Sequence, residues 1–245
     1  MIRLENIEKR YGKFQALHPL NLHVRKGEVF GFLGPNGAGK TTTIRMLAGV
    51  LVPTAGRVSI NGVDLVQEPI ESKKHVGYIP DRPYLYDKLT AREFLQFVGG
   101  MYGLSIEEIQ IRGTELLMEN GLLDRADELI EAYSHGMKQR LVLSAALLHK
   151  PQLLIVDEPM VGLDPHGAKK IKNQFRNIAQ EGRTVFLSTH SLDVAQEVCD
   201  RVGILFKGKL IAMGTVEELL KNQSSSDLEE VFLKITQEEM EKQQQ

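Results

Sequence analysis

The sequence predicts an α/β fold on a largely parallel sheet, with a mostly helical insert at residues 85–150. Three observations carry this. Short apolar runs, including VFGFL (29–33), LLIVD (153–157) and TVFLST (184–189), lack the in-out alternation of a half-exposed strand and suit strands covered on both faces. Stretches with apolar residues at helical spacing separate such runs, and strand–helix alternation favours parallel pairing. From about Thr90 the helical spacing continues to Lys150 with no strand between.

Taken in order, IRLENIEKRY, LNLHV after Pro19, and EVFGFL read as strands punctuated by Gly12, Pro19 and Gly27. TTTIRMLAGV has helical spacing and stops at LVPTAG. Asn61-Gly62 within RVSINGVDL is a tight-turn signal between β-prone residues, and VGYIP is a strand closed by proline. In the insert, AREFLQFVGGMYG, SIEEIQIRGTELLMENG and Ser134 to Lys150 read as helices, with Ser105 and Glu108 spaced as a capping box. The alternation resumes with the strand LLIVDEP, a helix from Pro165 to about Glu181, the strand TVFLSTH and a helix from Ser191. RVGILFKGKLIAMG then reads as a hairpin turning at Lys207-Gly208. Two short helices, TVEELLKN and LEEVFLKITQ, follow across the polar linker QSSSD, and EEMEKQQQ is expected to fray.

Composition narrows the function classes. Of 245 residues, 42% are hydrophobic and 25% charged, ordinary globular usage that can bury a full core. A net charge of −2 gives no bulk attraction to nucleic acid or anionic membrane. One cysteine, Cys199, excludes an intramolecular disulfide and fits a reducing compartment. The sequence has no apolar span long enough to cross a bilayer, and MIRLENIEKRYGK lacks the apolar core of a secretory signal. Any work at a membrane is therefore expected to go through a partner, without direct insertion.

The strongest chemical motif is GPNGAGKTT, comprising Gly34, Pro35, Asn36, Gly37, Ala38, Gly39, Lys40, Thr41 and Thr42. It follows an apolar strand and opens a helix, the context of a phosphate-binding P-loop. Backbone N–H groups converge on phosphate where no Cβ intrudes, Lys40 adds a point charge, and Thr41 offers a hydroxyl to Mg²⁺. LLIVDEP places two acids at a strand end: Asp157 suits Mg²⁺, and Glu158 suits orienting or deprotonating a water. An Asn-Lys-x-Asp motif for reading guanine is absent downstream, which weakens a GTPase reading. YSHGMKQR (133–140) is open to two readings. Ser134 caps a helix, or Ser134 and Gly136 hold an anion at its N-terminus.

GPNGAGKT, YSHGMKQR, LLIVDEP, GLDP and STH, in that order, resemble the nucleotide-binding subunit of an ATP-binding cassette (ABC) transporter, of bacterial export type. The resemblance covers Ile2 to about Gly214. It implies a P-loop NTPase core with a mixed β-sheet, an N-terminal antiparallel β-subdomain and an inserted α-helical subdomain, with the ATPase domain at 1–221 and a short helix and polar tail at 222–245. It implies ATP and Mg²⁺ as cofactors, a head-to-tail homodimer or paired cassette, and a separate transmembrane permease. The subunit would then sit on the cytoplasmic face of the membrane. Tyr11 would stack on adenine, His190 would contact the γ-phosphate and hold Glu158 and water, and Ser134 and Gly136 would face the partner's phosphate. Asp164 in GLDP would lie in the loop that communicates across the dimer, and it also suits a helix cap.

Two departures from the family pattern stand out. Asp81 replaces the usual glutamine after VGYIP; it can accept from water or ligate Mg²⁺ but cannot donate. His135 and Met137 replace a glycine and a glutamine in the YSHGM segment. The partner surface is expected near RPYLYDKLT (82–90), where Tyr84, Leu85 and Tyr86 suit a groove. The competing class, a soluble ABC ATPase acting on DNA or ribosomes, would bring two cassettes, coiled-coil arms or a basic tract, and the sequence has none of these. A regulatory nucleotide-binding module without turnover is disfavoured by Glu158 and His190.

Overall fold

Residues 1–82, 84–160 and 164–242 are described by a computed structural model. The elements run β1 (Ile2–Tyr11), β2 (Phe14–Val24), β3 (Val29–Leu33), α1 (Lys40–Leu47), β4 (Ala55–Ile60), β5 (Val63–Asp64), α2 (Pro69–Lys74) and β6 (Val76–Ile79). The helical insert follows as α3 (Ala91–Met101), α4 (Ile106–Glu119) and α5 (His135–Leu147). The chain then continues as β7 (Leu153–Asp157), α6 (Pro165–Gln180), β8 (Thr184–Thr189) and α7 (Leu192–Val198). It closes with β9 (Arg201–Phe206), β10 (Lys209–Thr215), α8 (Val216–Asn222) and α9 (Leu228–Lys242).

The uniformly apolar runs form the central sheet, in the order β10-β9-β3-β8-β7-β6. All its pairings are parallel except β9 with β10. Alternate residues serve two cores. Phe30, Phe32, Ile155 and Phe186 face the antiparallel sheet β2-β1-β4-β5 and α1, packing with Ile2, Leu4, Ile7 and Ile44. Val29, Leu33, Val156 and Leu187 face the other way, onto Phe175 of α6, with Leu141 of α5 in the same cluster. Each such fully buried side chain contributes about 1.5–3 kcal/mol of apolar transfer free energy. Burial on both faces is why period-two alternation is missing from the sequence.

Register positions the site. Leu33 lies beside Thr189, and Asp157 beside Ser188, so the loops leaving β3, β8 and β7 emerge in a row. Functional groups gather at such carboxyl ends of parallel strands.

Two expectations change. β2 starts at Phe14 rather than after Pro19, because β2 is an edge strand where a missing N–H is tolerated, and its pairing with β1 is irregular there. Glu238–Lys242 are helical rather than frayed; α9 is anchored by buried Leu228 and Val231 and by Gln196 Oε1, which accepts from Leu228 N at 2.8 Å. Residues 243–245 lie outside the described residues. The Asn61-Gly62 and Lys207-Gly208 turns both have positive φ at both residues, as tight hairpins require. The capping box of Ser105 with Glu108 forms.

The insert is fastened to β6 at its far end. His149 stacks on Tyr102 with ring centroids 3.6 Å apart, and its Nε2 lies 3.1 Å from the Val76 carbonyl. Burial pushes the His149 imidazole down to about 4, against the opposing effect of that carbonyl. The unfolded chain takes up this proton below about 6.5 and the folded chain only near 4, so folding stability falls as pH drops through that window. His149→Phe keeps a stacking ring and is expected to lose less stability than wild type between pH 7 and pH 5, measured by denaturant titration at both pH values.

Candidate active site

β3 leads without pause into Gly34, and α1 begins at Lys40. Glycine is required at two positions here. A Cβ at Gly34 would sit 2.3 Å from the Leu205 carbonyl oxygen, and Gly39 has φ of 106° with its missing Cβ 2.9 Å from the Ala16 oxygen. The loop is braced by Ala38 N donating to Pro35 O at 3.1 Å. Lys40 Nζ crosses it, donating to the Gly34 carbonyl at 2.6 Å and the Pro35 carbonyl at 3.3 Å. Burial pushes the Lys40 ammonium below its ordinary value, while the nearby Glu158 and Asp157 carboxylates pull it back up. The first N–H groups of α1, at Lys40, Thr41 and Thr42, have no acceptor within the helix. Donors and a cation thus converge on one concavity fit for a polyphosphate.

Asp157 ends β7, is buried, and accepts a hydrogen bond from the Ser188 hydroxyl. Burial raises its pKa, Glu158 and Asp81 push the same way, and the Ser188 and Thr41 hydroxyls oppose them. Glu158 has φ of 52°, a left-handed turn that breaks the strand and sends its side chain elsewhere. Its Oε2 lies 2.9 Å from His190 Nδ1 and accepts from the His190 N–H at 3.4 Å. The carboxylate is 15% exposed and the imidazole 62%, so the pair reaches from the sheet edge toward solvent. Lys40, Thr41, Asp157, Glu158 and His190, the residues singled out from sequence, converge at this edge.

Tyr11 and Phe14 are cross-strand neighbours at the tip of the β1–β2 hairpin; Tyr11 is about half exposed and Phe14 largely so. Lys9 Nζ lies 5.4 Å from the Tyr11 ring centroid. The hairpin is tied to the P-loop through the β9–β10 turn: His18 N donates to Gly208 O at 2.8 Å, and Gly208 N to Ala38 O at 2.9 Å. Asp81 follows β6 and borders an open pocket of about 320 Å³ shared with Tyr84, His135 and Lys138. It therefore bridges the site edge and the insert.

Ser134 caps α5, accepting from Met137 N at 3.3 Å. α5, which carries Gly136 and is capped by Ser134, packs on α3, α4 and β6, whereas α1, which follows the P-loop, packs on β2, β7 and β8. Met137 is buried, with Arg125 Nη1 3.7 Å from its sulfur, while His135 is exposed. Asp164 caps α6 by accepting from Gly167 N at 2.8 Å, which holds its carboxyl below the usual range. Gly162 and Leu163 of GLDP lie outside the described residues. Sequence reading overlooked the role of Ser188 on Asp157. The signal was a hydroxyl in a strand buried on both faces, which needs a partner.

The family model for ABC transporters matches residues 17–161, spanning the P-loop, Ser134 and the β7 acids. The chain belongs to that family. This ABC cassette is 42% identical over 219 residues to the linearmycin resistance ATP-binding protein LnrL of Bacillus subtilis, covering 89% of this chain and 70% of that protein. It is 34% identical to the ABC transporter ATP-binding protein NatA of Bacillus subtilis, covering 95% and 97%. Against the probable multidrug ABC transporter ATP-binding protein YbhF of Escherichia coli, 37% identity spans 96% of this chain but 41% of that protein. A solved ATP-binding subunit of an ABC transporter superposes with a TM-score of 0.90 at 33% identity, covering 96% of this chain and 99% of that one. A dimeric post-hydrolysis ATP-binding cassette bound to ADP and Pi gives 0.81 at 26%, covering 88% and 99%. The cassette is an ATP-binding ABC ATPase with a mixed central sheet, an antiparallel β-sheet and a helical subdomain.

Proposed function

We propose that two copies of this cassette close head to tail on two ATP molecules, hydrolyse them, and drive a separate membrane permease in the export direction. The observation that carries the reading is the Glu158–His190 contact at 2.9 Å, set beside Asp157 and across from Lys40. The direction is supported by the names of relatives, which are resistance and multidrug ATP-binding proteins.

In this reading Tyr11 stacks on the base, and the loop from Gly34 to Thr42 holds the phosphates. Glu158 accepts a proton from the attacking water. His190 fixes the Glu158 carboxylate and donates toward the γ-phosphate, while Lys40 stabilises the charge that develops there. Asp157 and Thr41 fit Mg²⁺: both offer hard oxygen donors, and a buried carboxylate crowded by Glu158 and Asp81 gains from a cation. Among the described residues no three His, Cys, Asp or Glu side chains cluster as a metal cage, so the remaining donors would be phosphate and water, with Asp81 at the edge. When bound, Mg²⁺ neutralises charge on the β- and γ-phosphate oxygens. Asp81→Ala is expected to weaken Mg²⁺-dependent hydrolysis several-fold; unchanged ATPase activity together with unchanged coupling to the partner removes Asp81 from the site.

No helix among the described residues is long and apolar enough to cross a membrane; in this reading the permease holds the cassette at the cytoplasmic face. The surface proposed for it carries Tyr84, 81% exposed, edge-on to Tyr86, which in turn packs edge-on to Phe97. Pro83 in this stretch lies outside the described residues. The test is isolation through this chain from detergent-solubilised native membranes. A polytopic membrane protein is expected to co-purify. Ribosomes or DNA in its place would instead favour the non-transport class.

A further inference from the structure

α4 of the insert and α6 of the core flank a cleft of about 460 Å³. Beside it sits Asn120, the C-cap of α4, fully buried. A buried carboxamide is costly unless its polar atoms find partners, and here they do. Asn120 Nδ2 donates to the Leu116 carbonyl at 3.0 Å and to Ser144 Oγ at 2.9 Å. The Leu116 carbonyl can only accept, so the amide orientation is settled, and Oδ1 accepts from Gln174 Nε2 of α6 at 3.1 Å. The Asn120 carbonyl accepts from Arg140 Nη1 at 2.8 Å, and Arg140 Nε donates to the Gly136 carbonyl at 3.3 Å.

We propose that Gln174 and Asn120 are positioning residues for the ATP site shared with a second copy of this chain. Their hydrogen bonds connect α6, which Asp164 caps, to the first turn of α5, which carries Gly136 and is capped by Ser134. The proposal rests on the reading that Ser134 and Gly136 face the partner copy's phosphate. α4 and α5 are also tied at a second point: Arg112 of α4 clamps the C-terminal end of α5, donating to Leu147 O at 3.1 Å and Leu148 O at 2.9 Å. Gln174 joins that pair to the core helix. Its Oε1 is buried without a hydrogen-bond partner, so the amide is held from one side and the connection turns on one donor.

The test compares Gln174→Met, which keeps volume and removes the donor, with Gln174→Glu, which sets a carboxylate against Asn120 Oδ1 at high pH and regains a donor when protonated. Mg²⁺-ATPase turnover and hydrogen exchange of the intact chain are measured. At pH 8 both variants are expected to keep the KM for ATP within about twofold and to lose about two- to tenfold in kcat, the worth of one hydrogen bond. As pH falls to 5.5, Gln174→Glu recovers relative to wild type, while Gln174→Met does not. Amide exchange in residues 134–143 quickens in both variants at pH 8, with residues 184–189 unchanged. Wild-type turnover and exchange in both variants, or a Gln174→Glu defect that ignores pH, overturns the proposal. Ser134→Arg is run alongside. If it keeps full turnover, the reading of Ser134 has failed and the proposal falls with it; if it loses turnover while both Gln174 variants are normal, the proposal alone has failed.

Discussion

Glu158→Gln is expected to hold ATP in a closed dimer that no longer turns over. The amide keeps the size of the carboxylate and can still meet His190, 2.9 Å from Oε2 in the native chain, but it cannot accept the proton of the attacking water. Loss of a positioned general base costs about 10²–10⁴ in rate. The substitution also removes a negative charge close to Lys40 and Asp157, which lowers repulsion toward the terminal phosphate. With Mg²⁺ and ATP the variant should double its apparent mass in size-exclusion chromatography while kcat drops at least a hundredfold. A variant that stays monomeric at saturating ATP removes the clamp; one that keeps near-native kcat removes Glu158 from the chemistry.

Ser134→Arg is expected to leave ATP binding to each monomer intact and to abolish closure. The side chain is exposed at the start of α5, so the larger group has room in the monomer and folding survives. The lost cap, in which Met137 N donates to Ser134 Oγ, costs about 1 kcal/mol of helix stability. The larger effect is expected at the proposed dimer, where a bulky side chain would stand in the place proposed for phosphate. ATP affinity measured on the monomer is expected within about twofold of wild type, with hydrolysis and ATP-dependent dimerisation at background. These outcomes separate a functional Ser134 from a helix cap, since a cap loss alone would leave closure intact.

Legibility in the sequence followed contiguity. The P-loop was readable because the groups it assembles lie within nine successive residues, flanked by a strand and a helix. Glu158 and His190 lie far apart in sequence, and their meeting was reached only through family resemblance; β7 and β8 pair directly and place both at one edge. Ser188 went unassigned because a hydroxyl in an apolar run says nothing of which strand it faces. Asn120 looked like the polar end of a helix, and nothing local shows that Gln174 reaches it from α6. Pro19 misled because proline excludes a central strand, whereas β2 lies at an edge. The fate of the tail depended on the docking of α9 against α7, α8 and β10, a tertiary effect that composition does not record.

The β9–β10 turn has a consequence for how nucleotide arrives. Gly208 is hydrogen-bonded on one side to the hairpin that carries Tyr11 and on the other to Ala38 of the P-loop. In the proposed reading, base platform and phosphate cradle are thereby joined into one receptor ordered on folding. Little conformational entropy remains to be lost when ATP docks, which favours fast capture. In the proposed dimer, product exchange would then wait on separation of the two protomers rather than on rearrangement within either one.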